Sequence, residues 1–440
     1  MVVLGVAVTN MFNQSLVSVF GLLFGEYLEQ MGHGTAGISL VANINNMVTC
    51  FSGLIMGPIL KKYSCRKVSL CGALMTSIGL ILASYSDTIT EIIIFYSICT
   101  GLGLGLILPS TFVAVKDYFS SKRGRAVGLS MVGTGVGQML MPQLVGLLLN
   151  DFGFAWTTRI IGVLCLHGAV GSLLFQPVQW HLKSEVKDAI VTEKLLKDTE
   201  VLIESNDEAI PEKVATDISV KYKYNTKSME HPTFLQSFTR SLDVNMLKDP
   251  VFVNICIGLS MVYTAGMAFG MIVPFFLLEE MRLSRDDTAL CMSVLSGADI
   301  IARLTLPSIT HFLNITNRTT FMWGALLLAG ARALVVIQTT RGAILVACVL
   351  CGYIRAITVI NQNLTVSDYC TDEQLPAALG WSMVAKGLFV ISLGQLLGWI
   401  RDYTKSFVLF VQATNVLLLV VFVTWFIELV LSRLKQTVKQ

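Results

Sequence analysis

Apolar residues in this chain gather into long runs separated by short polar stretches, and the run length is the first signal. A helix that crosses a bilayer needs about 20 predominantly apolar residues. Twelve windows meet that requirement, at approximately 2–24, 36–59, 68–86, 90–114, 124–149, 156–177, 250–278, 288–312, 319–338, 342–363, 375–400 and 407–432. Six of them precede a long charged stretch and six follow it. The pattern predicts an all-α membrane protein of twelve transmembrane helices in two six-helix pseudo-repeats: an N-terminal bundle over 1–177, a linker over 178–248 and a C-terminal bundle over 249–440.

Composition agrees and narrows the class. The 440 residues are 54% hydrophobic and 14% charged, against about 25% charged in ordinary soluble chains. The linker alone holds 10 Lys or Arg and 12 Asp or Glu in 71 residues, so the remainder of the chain is poorer in charge than the average suggests. A large soluble enzyme, a disordered chain and a nucleic-acid binder are excluded. High charge and few aromatics make the linker a largely disordered tether. At its end, Phe234, Phe238, Leu242 and Met246 recur every four residues, which suggests a short amphipathic helix at the membrane surface before span 7; a frayed lead into the span explains them equally well.

Basic residues in short loops set orientation. In the first half, Lys61, Lys62, Arg66 and Lys67 follow span 2, and Lys116, Lys122, Arg123 and Arg125 follow span 4, against Arg159 alone in the opposite loops. This puts the N-terminus, the linker and the C-terminus in the cytoplasm. The second half gives no such signal, since Arg282, Arg285, Arg341, Arg401 and Lys405 fall on the other side.

Most sequence features that mimic catalytic motifs dissolve in this context. Gly101, Gly103 and Gly105, and Gly133, Gly135 and Gly137, resemble nucleotide loops, but they lie in apolar helical runs and follow no strand, so close helix packing explains them. The ten cysteines lack paired spacing, Cys348 and Cys351 included, and read as small buried thiols. The five histidines are scattered. No nucleophile, base or metal constellation emerges, so neither enzymatic activity nor a cofactor or metal is expected.

The informative residues are ionisable groups at membrane depth, each costly unless paired, hydrated or snorkelling. Asp299 and Arg303 share one face of span 8, about 6 Å apart along the axis. They either pair structurally or open toward a substrate. Arg355 sits midway along span 10, Lys386 midway along span 11 and Arg332 in the outer part of span 9. The last two are expected to snorkel or to bond backbone carbonyls. Four cations thus face one carboxylate, and the natural counter-ion is an anionic substrate. Span 1 adds Asn10, Asn13 and Gln14, polar groups suited to a central cavity or to a helix-to-helix hydrogen bond.

The six-plus-six plan resembles that of the major facilitator transporters. Residues 117–137, DYFSSKRGRAVGLSMVGTGVG, are similar to the signature opening span 5 of the monocarboxylate transporter family, solute carrier family 16. Tyr118, Phe119, Arg123, Ala126, Gly128, Leu129, Gly133 and Gly137 match, while Gly135 replaces a proline. Asp299-Ile-Ile-Ala-Arg303 resembles that family's Asp-x-x-Ala-Arg in span 8, and 375–378 with 398–403 resemble its span 11 and the following loop.

The resemblance implies a plasma-membrane carrier of a small carboxylate, linked to protons. It gives Arg303 as anion anchor and Asp299 as coupling group. The charge and polarity of the spans themselves add Arg355 as a secondary contact and Asn13 and Gln14 as substrate-facing groups, and Lys122, Arg123 and Arg125 serve as inside gating contacts or topology signals. A single-span glycoprotein is the partner some members require. Ser18 stands where lactate-carrying members have a span 1 lysine, and the chain starts at Met1 where that family has an acidic, glycine- and tryptophan-rich lead. Facilitative carriage of amino acids or creatine-like solutes, and a non-transporting sensor that keeps the fold, therefore remain alternatives.

Overall fold

A backbone in hydrocarbon must bond every N–H and C=O internally, which leaves the helix as the natural fate of each apolar run. The computed structural model describes residues 1–33, 35–119, 123–176, 243–313 and 315–439, and every regular element among them is helical. Eleven helices are long and apolar enough to cross a membrane, one of them the 50-residue Gly124–Leu173. A straight helix of that length would run to about 75 Å, more than twice the thickness of a bilayer core. Gly153 interrupts it with φ 68° and ψ −179°, a conformation a side chain would forbid, and the two arms are spans 5 and 6. Among the described residues the spans number twelve, as the hydrophobic pattern predicts.

In chain order, span 1 is Val2–Gln30, span 2 Leu40–Leu60, span 3 Cys65–Ala83 and span 4 Ile89–Tyr118, followed by the two arms of Gly124–Leu173. The second half has span 7 at Pro250–Glu280, span 8 at Arg285–Phe312, span 9 at Asn317–Ile337, span 10 at Arg341–Tyr369, span 11 at Leu375–Thr404 and span 12 at Phe407–Lys439. The amphipathic helix expected before span 7 lies mostly outside the described residues. Its last part is a 3-10 turn, Val244–Lys248, with Met246 buried, and Asp249 then caps span 7 by accepting from the Val251 amide at 2.9 Å.

Lipid tails supply no hydrophobic drive for helix association, so small residues and interhelical hydrogen bonds must hold the bundle. The glycine runs serve that purpose. A Cβ at Gly133 would lie 2.0 Å from the Ala7 carbonyl oxygen, and one at Gly137 2.2 Å from that of Met11, so span 5 rests directly on the backbone of span 1. Gly103 does the same on span 3, where a Cβ would stand 2.6 Å from the Gly72 carbonyl oxygen. Buried hydroxyls add cross-links: Ser69 with Ser172 at 2.7 Å, Ser77 to the Gly162 carbonyl at 2.6 Å and Thr49 to the Gly101 carbonyl at 3.0 Å. In the second half, the Trp425 indole of span 12 fills the space left by Gly258 and donates to the Asn254 carbonyl at 3.2 Å. The cysteines are free thiols, six of them buried.

The halves meet along two seams, span 5 against span 8 and span 2 against span 11. Both are tightest on the side carrying the turns after spans 4 and 10, hereafter the linker side. There a Cβ at Gly380 would lie 2.3 Å from the Gly53 carbonyl oxygen, and one at Gly128 2.6 Å from that of Arg303. Toward the opposite side, a Cβ at Gly21, Gly25, Gly270, Gly394 or Gly398 would meet nothing within 4 Å. The far part of span 1, Leu16–Gln30, packs mainly within its own half. Among these glycines, the close backbone approaches between the halves fall on the linker side.

Candidate functional site

The helical spacing in span 8 sets the central pair. Arg303 Nε donates to Asp299 Oδ2 at 2.6 Å, with both side chains within 2% of complete burial. The guanidinium also reaches across the seam, where Nη1 donates to the Met131 carbonyl of span 5 at 2.7 Å. That reach depends on small residues opposite: a Cβ at Gly135 would stand 2.6 Å from Ile300 Cγ1. The ion pair is thereby anchored to span 5 through Arg303. It is also incomplete, since Asp299 Oδ1 is buried and has no hydrogen-bond partner among the described residues, leaving an acceptor ready for a proton or a donor group.

The remaining cations of the second half divide. Arg355 is half-buried, its guanidinium forms no hydrogen bond or ion pair among the described residues, and it lies close enough for its charge to act on both Arg303 and Arg332. Arg332 does not snorkel. It is 1% exposed, donates from Nη1 to the Ala265 carbonyl at 3.2 Å and stacks 4.3 Å from the Phe269 ring, with Nε unpartnered. Of the two fates open to it, bonding a backbone carbonyl is the observed one, because its place in the helix is sealed by span 7. Lys386 is likewise buried, at 7% exposure, with its ammonium 5.6 Å from the Tyr263 ring.

Span 1 carries three buried polar atoms without partners among the described residues, Asn10 Oδ1, Asn13 Oδ1 and Gln14 Nε2. Asn13 is turned to span 6 and lies against Gly168, with its amide nitrogen donating to its own helix at Thr9. Gln14 sits half-buried at a loosened turn between the helical segments Val2–Asn13 and Leu16–Gln30. Ser18 is exposed and donates to the Ser15 carbonyl at 2.6 Å. Of the basic cluster before span 5, Lys122 lies outside the described residues, Arg123 begins the helix and Arg125 is exposed.

One contact between the halves escapes a sequence reading. Lys116, in the last turn of span 4, pairs with Asp372 at 2.6 Å in the turn between spans 10 and 11; its side chain is 4% exposed and that of its partner 81%. Lys116 reads as one more loop cation in the sequence, and 256 positions separate it from the carboxylate it meets.

The helices meet along two seams, one of them bridged by the Arg303 bond to the Met131 carbonyl, and the model of the Major Facilitator Superfamily matches residues 3–395. The chain belongs to this superfamily. Among its curated relatives are monocarboxylate transporter 12 of Mus musculus, 23% identical over 394 residues that cover 89% of this chain and 76% of the relative. Monocarboxylate transporter 4 of Gallus gallus is 22% identical over 418 residues, covering 93% and 78%. Monocarboxylate transporter 14 of Mus musculus is 30% identical over 158 residues, 36% of this chain and 31% of the relative. The resemblance to the monocarboxylate transporter family, read from the signature residues, is shown. This major facilitator protein is a multi-pass membrane transporter and not an enzyme.

Proposed function

We propose that the protein moves a small carboxylate-bearing metabolite across the plasma membrane by alternating access, with the linker side cytoplasmic. The observation that carries this is the Asp299–Arg303 pair: buried, tied to the opposite half by the Arg303 bond to the Met131 carbonyl, and left with one carboxylate oxygen unpartnered among the described residues. A group that must re-pair when the halves rock is suited to couple binding to movement. Arg303 is the anion anchor, Asp299 the coupling group and Arg355 the second anion contact. Gln14, and Asn13 behind it, supply polar groups from span 1. Lys122, Arg123 and Arg125 act where the linker side opens and closes. The relatives' name, monocarboxylate transporter, supports the substrate class. A single-span glycoprotein as partner for surface delivery rests on the family resemblance alone.

Proton-linked symport is the reading that the free oxygen of Asp299 favours. Ser18, exposed where lactate carriers have a lysine, favours facilitated diffusion of an amino acid or creatine-like solute instead. Uptake of a panel of monocarboxylates, amino acids and creatine by cells expressing the chain, with neutral or acidic medium outside, tests both. Carboxylate uptake stimulated by acid supports symport, and a flat profile supports facilitation. No flux for any solute by correctly folded surface protein would leave a sensor and remove the transport reading.

A further inference from the structure

The two seams are counterparts, since span 8 holds in the second half the place that span 2 holds in the first, and span 11 the place of span 5. Each seam contains a buried cation. In the seam of spans 5 and 8, Arg303 is matched by Asp299. In the seam of spans 2 and 11, Lys386 is more than nine-tenths buried, and no carboxylate or hydrogen-bond acceptor pairs with it among the described residues. Its surroundings are the Tyr263 ring of span 7, whose hydroxyl donates to Asn46 Oδ1 of span 2 at 3.3 Å, together with Cys50 and Cys256 close enough to interact with its charge. Gly387, the next residue, would place a Cβ 2.8 Å from Cys50 Cβ, so Lys386 is held where span 11 bears on span 2.

An ammonium in such a place is costly unless an anion meets it. The cost is present in the free protein and removed by a ligand, which is how a transporter can make closure depend on occupancy. Around Lys386 the donors outnumber the acceptors. The ammonium has three N–H groups, and Asn46, its Oδ1 already taken by Tyr263, keeps its amide nitrogen free to donate. The Tyr263 ring provides an apolar wall beside them. That set fits a carboxylate carrying a short apolar or aromatic body.

Building on the carboxylate-transport reading, we infer that Lys386 is a second carboxylate-binding residue, with Asn46 and Tyr263 completing a subsite in the seam of spans 2 and 11. The lysine that lactate carriers place in span 1, where this chain has Ser18, has a functional substitute on span 11.

The test is thermal unfolding of the purified full chain in nanodiscs, titrated with sodium pyruvate, sodium benzoate or sodium chloride at equal ionic strength, for wild type, Lys386→Gln and Lys386→Arg. The expected result is stabilisation of wild type by a carboxylate and not by chloride. Lys386→Gln should raise the half-saturating carboxylate concentration about tenfold or more, the usual scale for losing a charged hydrogen bond, and Lys386→Arg should stay within about threefold because it keeps the charge. Without ligand, Lys386→Gln should melt no lower than wild type, since it removes a buried charge that has no partner. An unchanged carboxylate response in Lys386→Gln overturns the subsite alone, and a lower melting temperature without ligand shows a structural lysine and also overturns it. A wild type that responds to no carboxylate removes the transport reading and the subsite together.

Discussion

Lys116 and Asp372 form an ion pair of 2.6 Å that ties the end of span 4 to the turn before span 11 across the two halves. The ammonium is buried and the carboxylate faces solvent, so the pair is a latch on the linker side, not a buried anchor. With one partner so exposed, its contribution is about 1 kcal/mol or less. That is enough to change the population of a linker-side-open state about fivefold at most.

Asp372→Asn should therefore loosen the linker side without unfolding the protein. Cys370, two residues away and half-buried, reports the change. Burial pushes its thiol pKa up to about 12, with the Lys116 charge acting in the opposite direction. At neutral pH it is a thiol and alkylates slowly. Site-resolved mass spectrometry of maleimide labelling should show Cys370 modified several times faster in Asp372→Asn, and an unchanged rate would deny the latch.

Arg303→Ala should abolish carboxylate uptake, but its stability cost follows from the geometry. Removing the guanidinium strands Asp299 as a buried unpaired carboxylate, a loss of about 3–5 kcal/mol, together with the bond to Met131. The double variant Asp299→Asn with Arg303→Gln should recover much of the stability and none of the transport. Melting temperature and uptake measured side by side check this, and recovery of uptake in the double variant would displace Arg303 as anion anchor.

Asp299→Asn keeps the shape of the pair and removes the proton site. If Asp299 relays the proton, this variant should lose acid stimulation of uptake while still exchanging labelled for unlabelled substrate across the membrane. Uptake assayed between acidic and neutral external pH separates the outcomes, and a retained acid response would assign proton coupling elsewhere.

Substitutions among the glycines should diverge sharply. Gly133→Ala forces a methyl group to within 2.0 Å of the Ala7 carbonyl oxygen, and because the obstacle is backbone, span 1 must move off span 5 at a cost of about 1–3 kcal/mol. Gly266→Ala meets nothing within 4 Å and should leave the melting temperature within about 0.5 kcal/mol of wild type in stability. Equal effects would show that the contact between spans 1 and 5 is not close.

Run length and charge alone disclosed the twelve spans and the shared helix face of Asp299 and Arg303, because each depends on local quantities: how many apolar residues cross a bilayer, and which residues lie four apart on a helix. They also marked the glycine runs as packing surfaces. Which helices those glycines touch, how Arg303 reaches Met131 on the other half, and why Arg332 bonds Ala265 and does not snorkel depend on neighbours brought together from distant parts of the chain. The same holds for Lys116 and Asp372, and for the contrast between a cation with a carboxylate beside it in one seam and Lys386 without one in the other. A sequence determines how many charges enter the membrane. Only tertiary packing decides which are neutralised, since electrostatic pairing acts over a few ångströms of space and takes no account of distance along the chain.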